Sequence, residues 1–416
     1  QCEIASTSLF ARKNYFYPDL PKGYQISQYE YPLAERGRLL ISTPEGERAI
    51  PIRRVHLEED TGKLTHVTRG AESCSLVDLN RAGIPLLEIV SEPDLHTLED
   101  VRAYATGLRA ALRCLGVNSG DMEKGVIRFE ANVSVRPLGQ NELGTRVEIK
   151  NLNSFRALER SVAFQIEQQI ALLRRGEPVR QETLGWDEAQ GMTFSQRSKE
   201  EAHDYRYFPE PDLPPLVVEP EWVHRIAASL PELPYARSKR FQKEYGLTEV
   251  ESRLLVDEAA VADYFETAIK AATGLSPKTI VNWVTGELFG WLNQSGESIQ
   301  NIQVNPQALV DLLRLVEGGE INLNTAKSVL AEMLATGSAP AAIIAERGLQ
   351  QISDLDRIAR LVQQSLDENP EELLNYLNGK ETLSNWFFGQ VMRAARGQGN
   401  PQVIRQELER QLKAKK

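Results

Sequence analysis

Cysteine is scarce in this chain. Cys2, Cys74 and Cys114 are its three, scattered and odd in number, which argues against a disulfide frame and for the reduced thiols of a cytoplasm. No Cys-x-x-Cys pair occurs, so a structural zinc site is not expected. Positive charge is also short, with 48 Lys and Arg against 58 Asp and Glu and a net charge of −10. A blanket electrostatic grip on nucleic acid is thereby excluded, and any such contact must be local. No apolar run approaches the ~20 residues of a membrane helix; the longest candidate, Ala339 to Ala345, is far too short, so no membrane partner is expected. The opening Gln1-Cys2-Glu3-Ile4-Ala5 has no initiator Met and no signal-peptide core, and reads as a chain cut into at its N-terminus.

The common glycine-built phosphate loops are missing too. Thr61-Gly62-Lys63-Leu64 lacks both the earlier glycine and the hydroxyl of a P-loop, and neither G-x-G-x-x-G nor G-x-S-x-G occurs. His56 has no second histidine four residues on. A P-loop NTPase, a Rossmann dehydrogenase, an α/β-hydrolase and a zincin are therefore disfavoured.

What is present is ordinary globular material: 41% hydrophobic and 25% charged residues over 416 positions, enough at ~150 residues per domain for about three domains. Residues 1–234 mix β-branched and aromatic runs with turns and read as β-rich with some helices. Residues 235–300 and 301–416 read as two helical domains, with Asn305-Pro306 and Asn369-Pro370 as starts and Gly318-Gly319 and Gly379 as stops. In Val126 to Arg136, Ile127, Phe129, Ala131, Val133 and Val135 alternate with Arg128, Glu130, Asn132, Ser134 and Arg136. Thr145, Val147 and Ile149 alternate likewise with Arg146, Glu148 and Lys150. These spacings predict an antiparallel hairpin with one apolar and one charged face. Thr97 with Asp100 predicts a capped helix ending at Gly116, and Asn153 or Ser154 a second ending at Gly176. Seven prolines between Pro209 and Pro234 predict a rigid connector or the border of a site, without long regular structure.

The candidates for chemistry are carboxylates at strand-like positions. His56-Leu57-Glu58-Glu59-Asp60 is dense in ligand atoms, and Glu88 lies inside the apolar run Leu86 to Val90, where a charge needs a partner or a metal. Glu130 and Glu148 share the charged face of the hairpin with Arg128, Arg146 and Lys150. Several acids on one rigid sheet suit Mg²⁺, and the cations suit phosphate oxygens. The competing explanation is a solvated face of cross-strand ion pairs. Two aromatic-basic stretches, Arg12 to Asp19 with Lys22, and Asp204 to Asp212 around Arg206, are either further site walls or buttresses. From Asn378 to Lys416 eight basic side chains face three acidic ones. The tail is thus either an anion-docking surface or a solvated helical face.

Arg12-Lys13-Asn14-Tyr15-Phe16-Tyr17-Pro18-Asp19, the run from Leu79 to Asp94, Glu148-Ile149-Lys150-Asn151-Leu152-Asn153-Ser154-Phe155, Asp204 to Asp212, and Gly389-Gln390-Val391-Met392-Arg393-Ala394-Ala395-Arg396-Gly397 together resemble the B subunit of the glutamyl-/aspartyl-tRNA amidotransferase, the GatB family, over nearly the whole chain. The resemblance implies an α+β protein: a β-rich cradle domain, an all-α helical domain and an all-α YqeY-like tail. It implies ATP-dependent amidation of Glu-tRNA(Gln) and Asp-tRNA(Asn), with phosphorylation of the side-chain carboxylate and displacement of phosphate by ammonia. An amidase partner, the A subunit, supplies the ammonia, and a small C subunit straps the pair.

By the same resemblance Glu59, Glu88, Glu130 and Glu148 match the acids of an Mg²⁺/ATP pocket. Arg128, Arg146, Lys150 and Arg206 are taken as its phosphate-binding cations. Lys13, Tyr15 and Lys22 match polar positions near the ammonia route and the acceptor, and Arg393 and Arg396 match the part that engages tRNA. Two departures follow. The family's first strand, Gly-Leu-Glu-Val-His, which adds a Glu and a His to the metal site, lies upstream of this chain's start, so an incomplete metal shell is expected; a Cys-based zinc site of some members lies there too. At Glu130 relatives often have Asp. The rivals of another class are a non-catalytic tRNA-binding scaffold and a stand-alone Mg²⁺ phosphotransferase acting on a small carboxylic acid.

Overall fold

A computed structural model of the chain describes residues 1–69, 72–198, 205–350, 355–395 and 398–415. They form two compact units, Gln1–Arg237 and Ser238–Lys416.

The first unit is built on two four-stranded sheets. One orders Glu3–Ile4, Ala34–Thr43, Gly46–Glu59 and Pro85–Ser91, all antiparallel. The other orders Phe129–Val133, Val147–Leu152, Glu182–Asp187 and Met192–Ser198. The expected hairpin is its first pair, with Ala131 opposite Ile149 and Val133 opposite Val147. Phe129, Val133, Val147 and Ile149 are buried, so the apolar alternation faces inward as read. The next pair is parallel because the helix Phe155–Arg174 intervenes as a crossover. Ser154 caps that helix through its side chain on the Ala157 N–H, and Gly176 follows it at φ +75°, a conformation that costs glycine little.

The helix Leu98–Cys114 joins the two sheets. Its Thr97/Asp100 capping box forms as expected. Ala103 and Tyr104 pack with Ile41, Ile50 and Ile52 of the first sheet. Ala105 packs instead with Phe129, Ile149 and Leu152 of the second. One helix thus serves two cores and brings the sheets side by side.

The proline-rich segment is more regular than expected. Phe208–Pro209 pairs with Ala11–Asn14, and Leu216–Val217 with Thr7–Ser8. A ten-residue helix runs Pro220–Ser229, with Pro220 at a first-turn position where its missing N–H costs nothing.

The second unit is helical. One core runs from Phe241 through Phe265, Ile280 and Leu309 to Ile344. The Tyr264 hydroxyl donates to the Val304 carbonyl within it at 3.0 Å. The compositional boundary at 300/301 therefore falls inside a shared interior. A separate core of Ile358, Val362, Phe387, Val391, Ile404 and Leu408 forms the tail. Asn305 caps its helix, but Asn369 does not: its side-chain amide donates back to the Ser365 carbonyl at 2.8 Å. No single described helix is long and apolar enough to cross a membrane.

Candidate active site

The long strand Gly46–Glu59 and the edge strand Pro85–Ser91 place His56 directly opposite Glu88. Residues two apart share a face, so Glu58 joins them. One ligand atom from each of His56, Glu58 and Glu88 lies within 4.8 Å of the others. His56 Nε2 is 3.5 Å from Glu88 Oε2 and 3.9 Å from Glu58 Oε2. The His56 ring is buried, and its other nitrogen, Nδ1, has no partner among the described residues.

Burial, then the charges of Arg54 and Lys13, lowers the His56 pKa to about 4, so the ring is a neutral ligand at pH 7. Burial first, and then the Glu88 and Glu130 carboxylates, pushes the Glu58 carboxyl up to about 7, against the pull of Lys13. A buried neutral imidazole beside Glu88 and a Glu58 carboxyl that burial and neighbouring acids hold against ionisation fit a divalent cation, whose charge would relieve that crowding.

Glu130, from the second sheet, is close enough to act on Glu58, so the two sheets converge here. Lys150 Nζ stands 3.2 Å from Glu130 Oε2 and 3.7 Å from Glu148 Oε1. Burial alone would lower the Lys150 ammonium, but Glu130 and Glu148 hold it above the ordinary lysine value. Thr183 donates to Glu148 Oε2 at 2.9 Å.

An aromatic wall adjoins the acids. Lys13 Nζ lies 5.1 Å from the Tyr205 ring centroid and 5.7 Å from that of Tyr15, within cation–π range. Tyr207 stacks on Tyr29 at 4.2 Å with the rings 8° apart. The Tyr15 hydroxyl donates to Gln25 at 3.1 Å; burial, then Glu58, raises its pKa. The wall is fastened by Arg12, which donates to both carboxylate oxygens of the buried Glu210 at 2.7 and 2.8 Å.

The structure thus gathers Glu88, Glu130, Glu148, Lys150, Lys13 and Tyr15 in one region. Others of the expected residues stand apart. Glu59 faces the opposite side of its strand, paired with Lys22 and accepting from the Ile26 N–H at 2.9 Å. Arg128 is engaged by Asp60 at 2.9 Å. Arg146 is exposed just before its strand. Arg206 is also exposed, and it is its neighbours Tyr205 and Tyr207 that build the wall. Glu88 is not the buried acid its apolar neighbours suggested: its side chain is 47% accessible, because its strand is the sheet's edge and Leu87 is exposed as well. Arg393 is exposed on its helix, 3.4 Å from Gln390; Arg396 and Asp204 lie outside the described residues. His56 and Glu58 were missed as a pair, although their i, i+2 spacing was the available signal.

The first unit thus carries a carboxylate-and-lysine cluster where its two sheets meet, and a helical unit follows in the chain. Residues 1–224 match the family model described as the GatB/GatE catalytic domain, and residues 263–412 that described as the GatB domain. The B subunit of the aspartyl/glutamyl-tRNA(Asn/Gln) amidotransferase of Herpetosiphon aurantiacus is 50% identical over 416 residues, spanning 99% of this chain and 86% of the relative. That of Thermodesulfovibrio yellowstonii is 49% identical over 412 residues, spanning 99% and 86%. That of Myxococcus xanthus is 48% identical over 412 residues, spanning 99% and 85%. The chain belongs to this B-subunit family of aspartyl/glutamyl-tRNA(Asn/Gln) amidotransferases.

Proposed function

We propose that this chain is the subunit that activates and amidates the misacylated tRNA, converting Glu-tRNA(Gln), Asp-tRNA(Asn) or both with ATP, Mg²⁺ and ammonia from the amidase A subunit, in a heterotrimer with the small C subunit. The observation that carries the reading is the convergence of Glu58, Glu88, Glu130 and Glu148 from two sheets onto a place that also holds Lys13 and Lys150. A scaffold that only binds tRNA has no need of crowded acids beside two half-buried lysines.

The chemistry asks for such a place. A carboxylate resists attack by ammonia because oxide is a poor leaving group. Attack of its oxygen on the γ-phosphorus releases ADP and leaves an acyl phosphate. Ammonia then bonds to the acyl carbon, the C–O electron pair departs with phosphate, and nitrogen loses a proton. A bound divalent ion, held by His56, Glu58 and Glu88, would supply charge neutralisation at phosphate oxygens. Lys13 and Lys150 place fixed positive charge where phosphoryl oxygens gather charge. The tyrosine wall limits water beside them. Residues 1–234 are the cradle in this reading, and the tail around Arg393 and Arg396 meets the tRNA body.

Glu88→Gln in the full-length protein, assembled with its partners, tests the reading. It is expected to abolish phosphorylation of Glu-tRNA or Asp-tRNA while glutamine hydrolysis by the partner persists. Retained transamidation refutes it.

A further inference from the structure

We infer that Asp60 is a positioning residue, which holds Arg81 and Arg128 together as a guanidinium pair that receives the polyphosphate of the nucleotide. The inference rests on the reading above that nucleotide phosphates are handled at this site.

Asp60 follows the last residue of the long strand in the first sheet and is 6% exposed. Its Oδ1 accepts from Arg128 Nη2 at 2.9 Å and from the Thr61 N–H at 3.0 Å. Its Oδ2 accepts from Arg81 Nη2 at 2.5 Å and Nε at 3.1 Å. Arg81 Nη2 also donates to the Gly125 carbonyl at 3.3 Å. The backbone is equally engaged: the Asp60 N–H donates to the Ile84 carbonyl at 2.7 Å, and the Gly83 N–H donates to the Asp60 carbonyl at 2.9 Å. Asp60 therefore ties the 79–84 loop and the start of the second sheet to the end of the first.

Two features point from this tie to a ligand. One buried carboxylate meets two guanidinium groups, so a positive charge is left over. The arginines are also open on their far side, with Arg128 39% and Arg81 34% accessible. Arg128 uses only Nη2 among the described residues, leaving the rest of its fork free for a phosphate, which matches guanidinium geometry in pairs. Along the chain Arg128 is two residues before Glu130, and Asp60 two after Glu58. Without Asp60 the two guanidinium groups repel each other and lose the buried anchor that aligns them.

The test is a double-mutant cycle in the full-length, fully assembled enzyme, reading KM for ATP and kcat for transamidation. Asp60→Asn is expected to raise KM for ATP about tenfold, with kcat within about threefold, as for loss of a charge-assisted contact. Arg128→Ala should raise it similarly, and Asp60→Asn should add less than about twofold on that background, because the two act as one unit. Multiplying effects, or an unchanged KM in Asp60→Asn, overturn the inference. If Asp60→Asn does not fold, Arg81→Lys carries the same test without touching the buried carboxylate: a several-fold rise in KM supports the inference and an unchanged KM overturns it. Transamidation by the unsubstituted enzyme without any nucleotide would instead overturn the reading beneath it.

Discussion

His56 and Glu88 stand directly opposite each other on antiparallel strands, with His56 Nε2 3.5 Å from Glu88 Oε2. The imidazole is buried while the carboxylate is half-accessible, so a neutral donor is held inside and its anionic counterpart opens outward. That asymmetry suits a cation that must be sequestered from one side and reached by phosphate from the other.

The Glu58 carboxyl, raised to about 7 by burial and by Glu88 and Glu130, makes stability depend on pH. A folded pKa above the unfolded 4.5 means that the folded chain binds more protons between these values, so stability is lost as pH rises from about 4.5 through 7. In metal-free protein Glu58→Gln should therefore stabilise by about 2 kcal/mol at pH 8 and hardly at pH 4. Denaturant melts of both proteins at the two pH values check it.

Lys150 neutralises Glu130 and Glu148 in a setting where burial opposes its charge. Lys150→Met leaves two crowded carboxylates and should cut kcat for transamidation at least about tenfold. Lys150→Arg should recover part of it. Equal losses in both variants would show that shape, not charge, is what the position requires.

Glu251 closes a capping box with Thr248 and is paired with Lys278. The Lys278 ammonium and the Thr248 N–H hold its pKa at about 2. A depressed carboxyl contributes stability above its unfolded value of 4.5, lost as pH falls toward 2. Glu251→Gln should therefore destabilise the second unit by about 1–2 kcal/mol at pH 7 and by little near pH 2.5, as read by chemical denaturation.

The tail's excess of positive charge is partly spent within the fold. Arg410 pairs with Glu407 at 2.6 Å, and Lys415 with Asp367 at 3.4 Å. Among the described residues Arg393 has only a weak contact, to Gln390. Reversing Arg393 and Arg396 to Glu should weaken tRNA binding and reduce the slope of log affinity against log salt by about 1 to 2. Titrations at several salt concentrations measure it, and an unchanged slope removes these residues from the interface.

Local grammar in the chain was largely legible. The Thr97 box, the Ser154 cap and the hairpin of Ala131 and Ile149 all form where spacing and cap chemistry place them. Errors came where an outside partner decides. Asn369 has the right residue type for a cap, yet the nearby Ser365 carbonyl takes its amide. Glu88 sits among apolar residues, yet its strand is an edge and its side chain meets solvent. Glu58 and Glu59 are adjacent acids whose opposite faces cannot be assigned until the strand's orientation in the sheet is known.

The amino-acid order alone determined the capped helices and the alternating hairpin, since periodicity and capping are interactions between neighbours in the chain. It also carried the family resemblance, because that is a property of residues in order. Only the tertiary structure decided that His56 meets Glu88, that Tyr205 shelters Lys13 and that Asp60 takes Arg128 from another sheet. Those meetings depend on strand register and on one helix, Leu98–Cys114, feeding two cores at once. Such long-range choices are settled by packing the whole interior together, and no local stretch of residues encodes them.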